Sequence, residues 1–292
     1  MRIKLALVLG LLPVTALMAQ GTSPMDLRKL PVSKPVAISS FGPEKAQFGE
    51  LRVPDGKGPF PVAIVYHGGC LVREVDDTRG TAAIATALAK RGVATWNVDY
   101  RALGDAGAGY PGSYQDWGAA ADHLRVLAKT HPLDLTRVVA VGHSAGAPAA
   151  VFVASRAKLP NSSTIRGADP LPIRAAVAID GPPDPANLVG LDEKVCGRAV
   201  VKEFLGGTPA EQPARYEEVS PARYLPLGVP VHLISSSFVL PPPLARNYQS
   251  SAKAKGDEVS FTEIDGDHFN VIAPGQPQWA KVEAIILAAV PK

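Results

Sequence analysis

The strongest constraint on the fold is an alternation that runs through most of the chain. Short, nearly uninterrupted Val, Ile and Ala runs are centred on Gln47–Val53, Pro61–Tyr66, Val93–Val98, Arg137–Val141, Arg174–Ile179, Val231–Ser235 and Glu258–Ile264. Strands buried on both faces have this character. Segments of helical spacing lie between them. Thr81–Arg91 is alanine-rich, carries Lys90 and Arg91 at its end and is followed by Gly92, a helix stop signal. Tyr114–Lys129, Ala145–Ala157, Leu244–Lys255 and Trp279–Ala289 are the other helix candidates. Such alternation implies right-handed crossovers and a largely parallel sheet covered by helices, an α/β architecture. Residues 182–230 break the pattern. They are proline-rich with little periodicity and read as an irregular insertion within one domain.

Composition narrows the functional classes. The 292 residues are 46% hydrophobic and 20% charged, usual for a globular chain and unlike a disordered one. A formal charge of +3 without a basic run is too small for a dedicated nucleic-acid surface. Two cysteines, Cys70 and Cys196, are too few for a disulfide scaffold or a thiolate zinc cage. The start of the chain is a separate unit. Arg2 and Lys4 precede an apolar stretch from Leu5 to Leu17, and small Ala16 and Ala19 precede polar Gln20-Gly21. That is the order of a secretory signal peptide, here residues 1–19, leaving residues 20–292 as the mature domain. The apolar stretch is short for a bilayer span and contains Pro13, and no later stretch is long and apolar enough. The mature chain is therefore expected to be exported, periplasmic or extracellular, with no membrane span. Export makes a Cys70–Cys196 bridge chemically possible. Two separate buried thiols are equally open.

Chemistry enters at Gly142-His143-Ser144-Ala145-Gly146, a G-x-S-x-G pattern between a strand candidate and an alanine-rich helix candidate. This is the strand–turn–helix setting of a nucleophile elbow. The turn is so tight that side chains two before and two after the serine would meet neighbouring backbone, hence glycine at both places. Upstream, Tyr66-His67-Gly68-Gly69-Cys70 closes another strand candidate. Main-chain N–H groups of Gly69 and Cys70, with that of Ala145, could hold the negative oxygen of a tetrahedral intermediate.

With these residues in hand, the chain resembles the α/β-hydrolase superfamily, most closely its secreted esterases and lipases with an HGG loop and a GHSAG elbow. His67-Gly68-Gly69, Asp99-Tyr100-Arg101, Gly142–Gly146 and Asp267-His268-Phe269-Asn270 carry the likeness in consistent order. The resemblance implies an eight-stranded, mostly parallel sheet, hydrolysis of a small-molecule ester or related acyl bond, and no cofactor. It also points to His268, after the last strand candidate, as the base that takes the Ser144 proton and returns it to the leaving group.

The acid of the triad is harder to find. Its usual loop follows Val231–Ser235, yet no Asp or Glu occurs between Glu218 and Asp257. One candidate is Asp180, at the end of the preceding strand candidate and before Gly181-Pro182, which keeps the order serine–aspartate–histidine. Asp265 and Asp267 are others, although Asp267 adjoins the histidine and is badly placed for its far nitrogen. A serine hydroxyl or main-chain carbonyl could orient His268 weakly. Without any acid, the rate would fall on the order of 10⁴-fold.

Other signals carry less. Gly107-Ala108-Gly109-Tyr110-Pro111-Gly112 fits G-x-G-x-x-G but follows no strand and holds a proline, so it reads as a loop. Asp265-Gly266-Asp267 lacks the remaining ligands of a calcium loop. No HExxH or CxxC is present, and no metal is implied. Asp99-Tyr100-Arg101 reads as a structural ion-pair turn. The residues thus point to an exported serine hydrolase of carboxylesterase type. A peptidase or amidase on the same machinery, or a hydrolase-like binding protein with lost turnover, are the alternatives.

Overall fold

The computed structural model describes residues 21–236 and 239–292; the expected leader lies outside them. Eight strands form one sheet: β1 (Ala37–Ser40), β2 (Phe48–Arg52), β3 (Phe60–Tyr66), β4 (Ala94–Val98), β5 (Leu133–His143), β6 (Ala175–Ile179), β7 (Val231–Ser235) and β8 (Val259–Glu263). Their spatial order is β1-β2-β4-β3-β5-β6-β7-β8. The β1–β2 and β2–β4 pairs are antiparallel and all others parallel. The expected mostly parallel sheet flanked by helices is therefore present. Val62, Ile64, Val139, Val141, Val177 and Ile179 are at most 1% exposed. Burying each such side chain contributes about 1.5–3 kcal/mol, which makes the central strands a stiff base for the loops they feed.

The principal helices are α1 (Ala82–Lys90), α2 (Gly112–Asp122), α3 (Ala147–Ser155), α4 (Pro242–Ala254) and α5 (Pro277–Ala289). Every residue of α3 is buried, as its apolar composition on all sides demands. Pro148 falls in its first turn, where no intrahelical N–H is needed. No helix among the described residues is long and apolar enough to cross a membrane.

Three readings of the sequence are corrected, and one strand escaped it. The segment at 182–230 is not irregular throughout: Asp192–Cys196, Val200–Leu205 and Pro213–Val219 are short helices, too brief for periodicity to reveal. The helix expected over Tyr114–Lys129 is interrupted at His123 and resumes only as Leu124–Leu127. β5 starts at Leu133 rather than Arg137 and runs on to His143. The edge strand β1 has no counterpart in the apolar runs, because only one half of its residues is shielded.

Register places the chemistry. Tyr66 pairs with Gly142, His143 with Ile179, and Ile179 with Ile234. Strands β3, β5, β6 and β7 therefore end together, and the loops after them converge at their carboxyl edge, where open parallel sheets bind ligands.

Candidate active site

Ser144 follows β5 directly, with φ of 55°. A Cβ on Gly142 would strike the Gly146 carbonyl, and one on Gly146 would strike the carbonyls of Tyr66 and His67. Both glycines are thus required by the closeness of the backbone at the turn. Among the described non-glycine residues, only Cys70, Leu71, Ser144 and Asp180 have positive φ. All four lie at this one edge of the sheet. Each such backbone costs about 1–3 kcal/mol, so the surrounding fold must hold them there.

Asp180 caps β6, and its N–H donates to the Ile234 carbonyl of β7 (2.7 Å). The carboxylate is fully buried. Its Oδ1 accepts the Ser236 N–H at 2.9 Å, and its Oδ2 lies 2.6 Å from His268 Nδ1. Nε2 is the ring nitrogen left for other partners. Asp267, by contrast, turns back on its own loop and accepts the N–H groups of Phe269 (2.9 Å) and Asn270 (2.8 Å). The arrangement that sequence could offer only as one of several, an acid after β6, is the one in which carboxylate and imidazole meet.

His143 has a part that its sequence position does not announce. Its Nε2–H donates to the His268 carbonyl at 2.8 Å, with the two rings 4.6 Å apart. Burial, reinforced by the neighbouring His268, pushes its pKa down to about 3. The ring is then neutral and its donor role persists across the ordinary pH range. The contact joins residues 125 positions apart, and no local signal could have predicted it.

The loop after β3 carries Gly69 (φ 96°) and Cys70 (φ 55°) beside the serine. Among the described residues, the N–H groups of Gly69 and Cys70 donate to no protein acceptor. Behind the loop, His67 is buried, stacks on Tyr100 at 4.4 Å, and faces Asp99 Oδ1 at 3.2 Å through Nε2. The Tyr100 hydroxyl donates to the His67 carbonyl (2.7 Å). Although burial opposes it, the His67 hydrogen bond and the Arg73 ion pair hold the Asp99 carboxyl below its usual range. Arg101 pairs with Asp116 at 2.7 Å. Asp99-Tyr100-Arg101 is therefore a structural turn of ion pairs. Cys70 and Cys196 form a disulfide, with Cα atoms 5.8 Å apart, which joins this loop to the helix Asp192–Cys196. The choice between bridge and free thiols is thereby made.

Two cavities flank Ser144. The larger, about 190 Å³, is bordered by Gly69, Cys70, His143, Ser144 and His268 and by apolar side chains including Leu27, Val195 and Ile272. The smaller, about 20 Å³, lies on the Ala145 side among Leu71, Pro182, Leu188 and Val239. Ser144 is 8% exposed and, among the described residues, its hydroxyl makes no hydrogen bond. Ser144, His268, Asp180 and the Gly69–Cys70 and Ala145 donors are thus gathered in one place, as a set able to support acyl transfer. Of the remaining histidines, His123 contacts Ser39 and His232 contacts Ser260, both away from these cavities.

Known proteins agree with this architecture. A truncated carbohydrate esterase from gut microbiota superposes with a TM-score of 0.73 at 17% identity, over 88% of this chain and 96% of that one. Esterase B from Lactobacillus rhamnosis (HN001) gives 0.70 at 16%, over 89% and 87%. A thermophilic esterase from the planctomycete Thermogutta terrifontis, solved with propionate, gives 0.65 at 17%, over 88% and 96%. At such identities the likeness establishes the fold, that of the α/β-hydrolases. No curated protein sequence matches the chain. The BD-FAE family model matches residues 51–237, more than half of the sequence and all of the elbow and HGG regions. The chain belongs to the BD-FAE family of α/β-hydrolase-type esterase domains.

Proposed function

We propose that the protein is an exported carboxylesterase that cleaves short-acyl esters through a Ser144 acyl-enzyme. The observation that carries this reading is the 2.6 Å contact between His268 Nδ1 and buried Asp180, beside a serine that borders the same cavity as the histidine. Asp180 fixes the ring with its proton on Nδ1 and offsets the charge that forms when Nε2 takes the Ser144 proton. Contacts between such a hydroxyl and its base commonly tighten only when substrate binds. Attack on the ester carbon places negative charge on oxygen, which the Gly69, Cys70 and Ala145 N–H groups stabilise. The Nε2 proton passes to the leaving alkoxide, and water then releases the acid by the same steps in reverse.

Cavity sizes suggest which half of the ester goes where. The alcohol leaves toward the group that protonates it, so its site is the larger cavity, which His268 borders. The acyl group then enters the smaller one, whose 20 Å³ is about the space of a single water-sized group and suits an acetyl methyl. The disulfide between Cys70 and Cys196, together with the leader-like start of the sequence, supports an oxidising compartment outside the cytoplasm. The test is hydrolysis of p-nitrophenyl acetate with parallel fluorophosphonate labelling. Both should occur in the wild type and vanish in Ser144→Ala. A well-folded wild type that does neither is not an esterase of this kind.

A further inference from the structure

The segment ahead of the first strand lies against the larger cavity, yet no step of the proposed reaction uses it. Pro24 and Leu27 form part of the cavity wall, and Leu27 is only 3% exposed. A capping box between Ser23 and Asp26 fixes the short helix Pro24–Leu27. Two further bonds tie the segment to the loops on either side of the cavity. The Thr22 N–H donates to Asp267 Oδ2 (3.2 Å), the carboxylate that also organises the histidine loop. Arg28 Nη2 lies 2.9 Å from Asp76 Oδ1. Asp76 borders the cavity and backs the HGG loop so closely that a Cβ on Gly69 would lie 2.6 Å from its own Cβ.

We propose that residues 22–28 are a specificity strap, a positioning element that sets which alcohol group the larger cavity accepts. The idea rests on the esterase reading above and extends it to substrate class. The wall is hydrocarbon at Pro24, Leu27, Val75, Val195, Phe269 and Ile272, and the carboxylate in it, Asp76, is already paired with Arg28. Such a surface favours an apolar alcohol and leaves the hydroxyls of a free sugar ring unpartnered. Size follows from comparison: an apolar cavity of about 150 Å³ holds benzene. The 190 Å³ here takes one aromatic ring or a branched alkyl group, and a fused second ring meets the strap.

The experiment compares kcat/KM for phenyl acetate and 2-naphthyl acetate in the mature chain, normalised by active-site titration. Wild type should prefer phenyl acetate. Leu27→Ala opens the wall and should raise the naphthyl-to-phenyl ratio about tenfold, the effect of a small change in an apolar pocket. Arg28→Met, which frees the strap without altering a lining side chain, should move the ratio in the same direction. If Leu27→Ala does not fold, Leu27→Val and Arg28→Met decide the matter. An unchanged ratio, or an equal loss for both esters, overturns the strap's role while hydrolysis still depends on Ser144. Hydrolysis that survives Ser144→Ala overturns the esterase reading instead.

Discussion

Asp180→Asn probes the proposed mechanism at its most constrained point. The carboxylate is fully buried and, among the described residues, accepts the Ser236 N–H at 2.9 Å and meets His268 Nδ1 at 2.6 Å. An amide of the same shape can accept from the first only by turning its NH₂ toward the second. His268 must then present a lone pair at Nδ1 and carry its proton on Nε2. In that tautomer Nε2 cannot take the serine proton, and the charge that would offset an imidazolium is gone as well. In a Ser–His–Asp site this substitution lowers kcat by about 10⁴, or about 5.4 kcal/mol of barrier at 1.36 kcal/mol per tenfold. KM for p-nitrophenyl acetate should change little, because Asp180 borders neither cavity. Steady-state kinetics, with a urea titration to show that the variant is folded, measure both quantities. A folded Asp180→Asn protein with kcat within about tenfold of wild type would reduce Asp180 to a turn residue.

Two other perturbations read the framework around the site. The Cys70–Cys196 bridge closes a separation of 126 residues. Its removal in a Cys70→Ser/Cys196→Ser double variant should lower unfolding stability by about 2–5 kcal/mol, seen as a lower urea midpoint. Reductant should lower the wild-type midpoint and leave the variant's unchanged. His143, whose pKa burial pushes down to about 3, is neutral when folded, whereas the unfolded chain takes up a proton near the ordinary value of 6.5. Its contribution is therefore complete above pH 6.5 and is lost as pH falls toward 3, with a slope of up to about 1.4 kcal/mol per pH unit. His143→Gln should flatten the urea midpoint between pH 6.5 and 4 relative to wild type, and equal slopes would refute the assignment.

Much of this architecture was legible because a parallel sheet writes itself into sequence. Continuous apolar runs such as Ala175–Ile179 are long enough to fill a strand and can hardly be solvent-facing. The elbow and the HGG loop were legible for another reason. Their glycines answer steric demands between residues a few positions apart or at the ends of adjacent strands. The acid was not legible in this way. Nothing in Ile179-Asp180-Gly181 distinguishes an aspartate that reaches an imidazole from one that closes a turn, since its partner is 88 residues away. The same holds for Thr22 and Asp267, separated by 245 residues, and for His143 and the His268 carbonyl. Local rules also fail where the backbone is forced. Cys70, Leu71, Ser144 and Asp180 adopt left-handed conformations that their side chains disfavour, and turn preferences give no warning of them. The two failures have one cause. At the carboxyl edge, long-range packing of β3, β5, β6 and β7 overrides local preference. It holds three loops in strained shapes that bring the Asp180 carboxylate to the His268 imidazole, at a cavity His268 shares with Ser144. A sequence read alone shows the preference and conceals the force that overrides it.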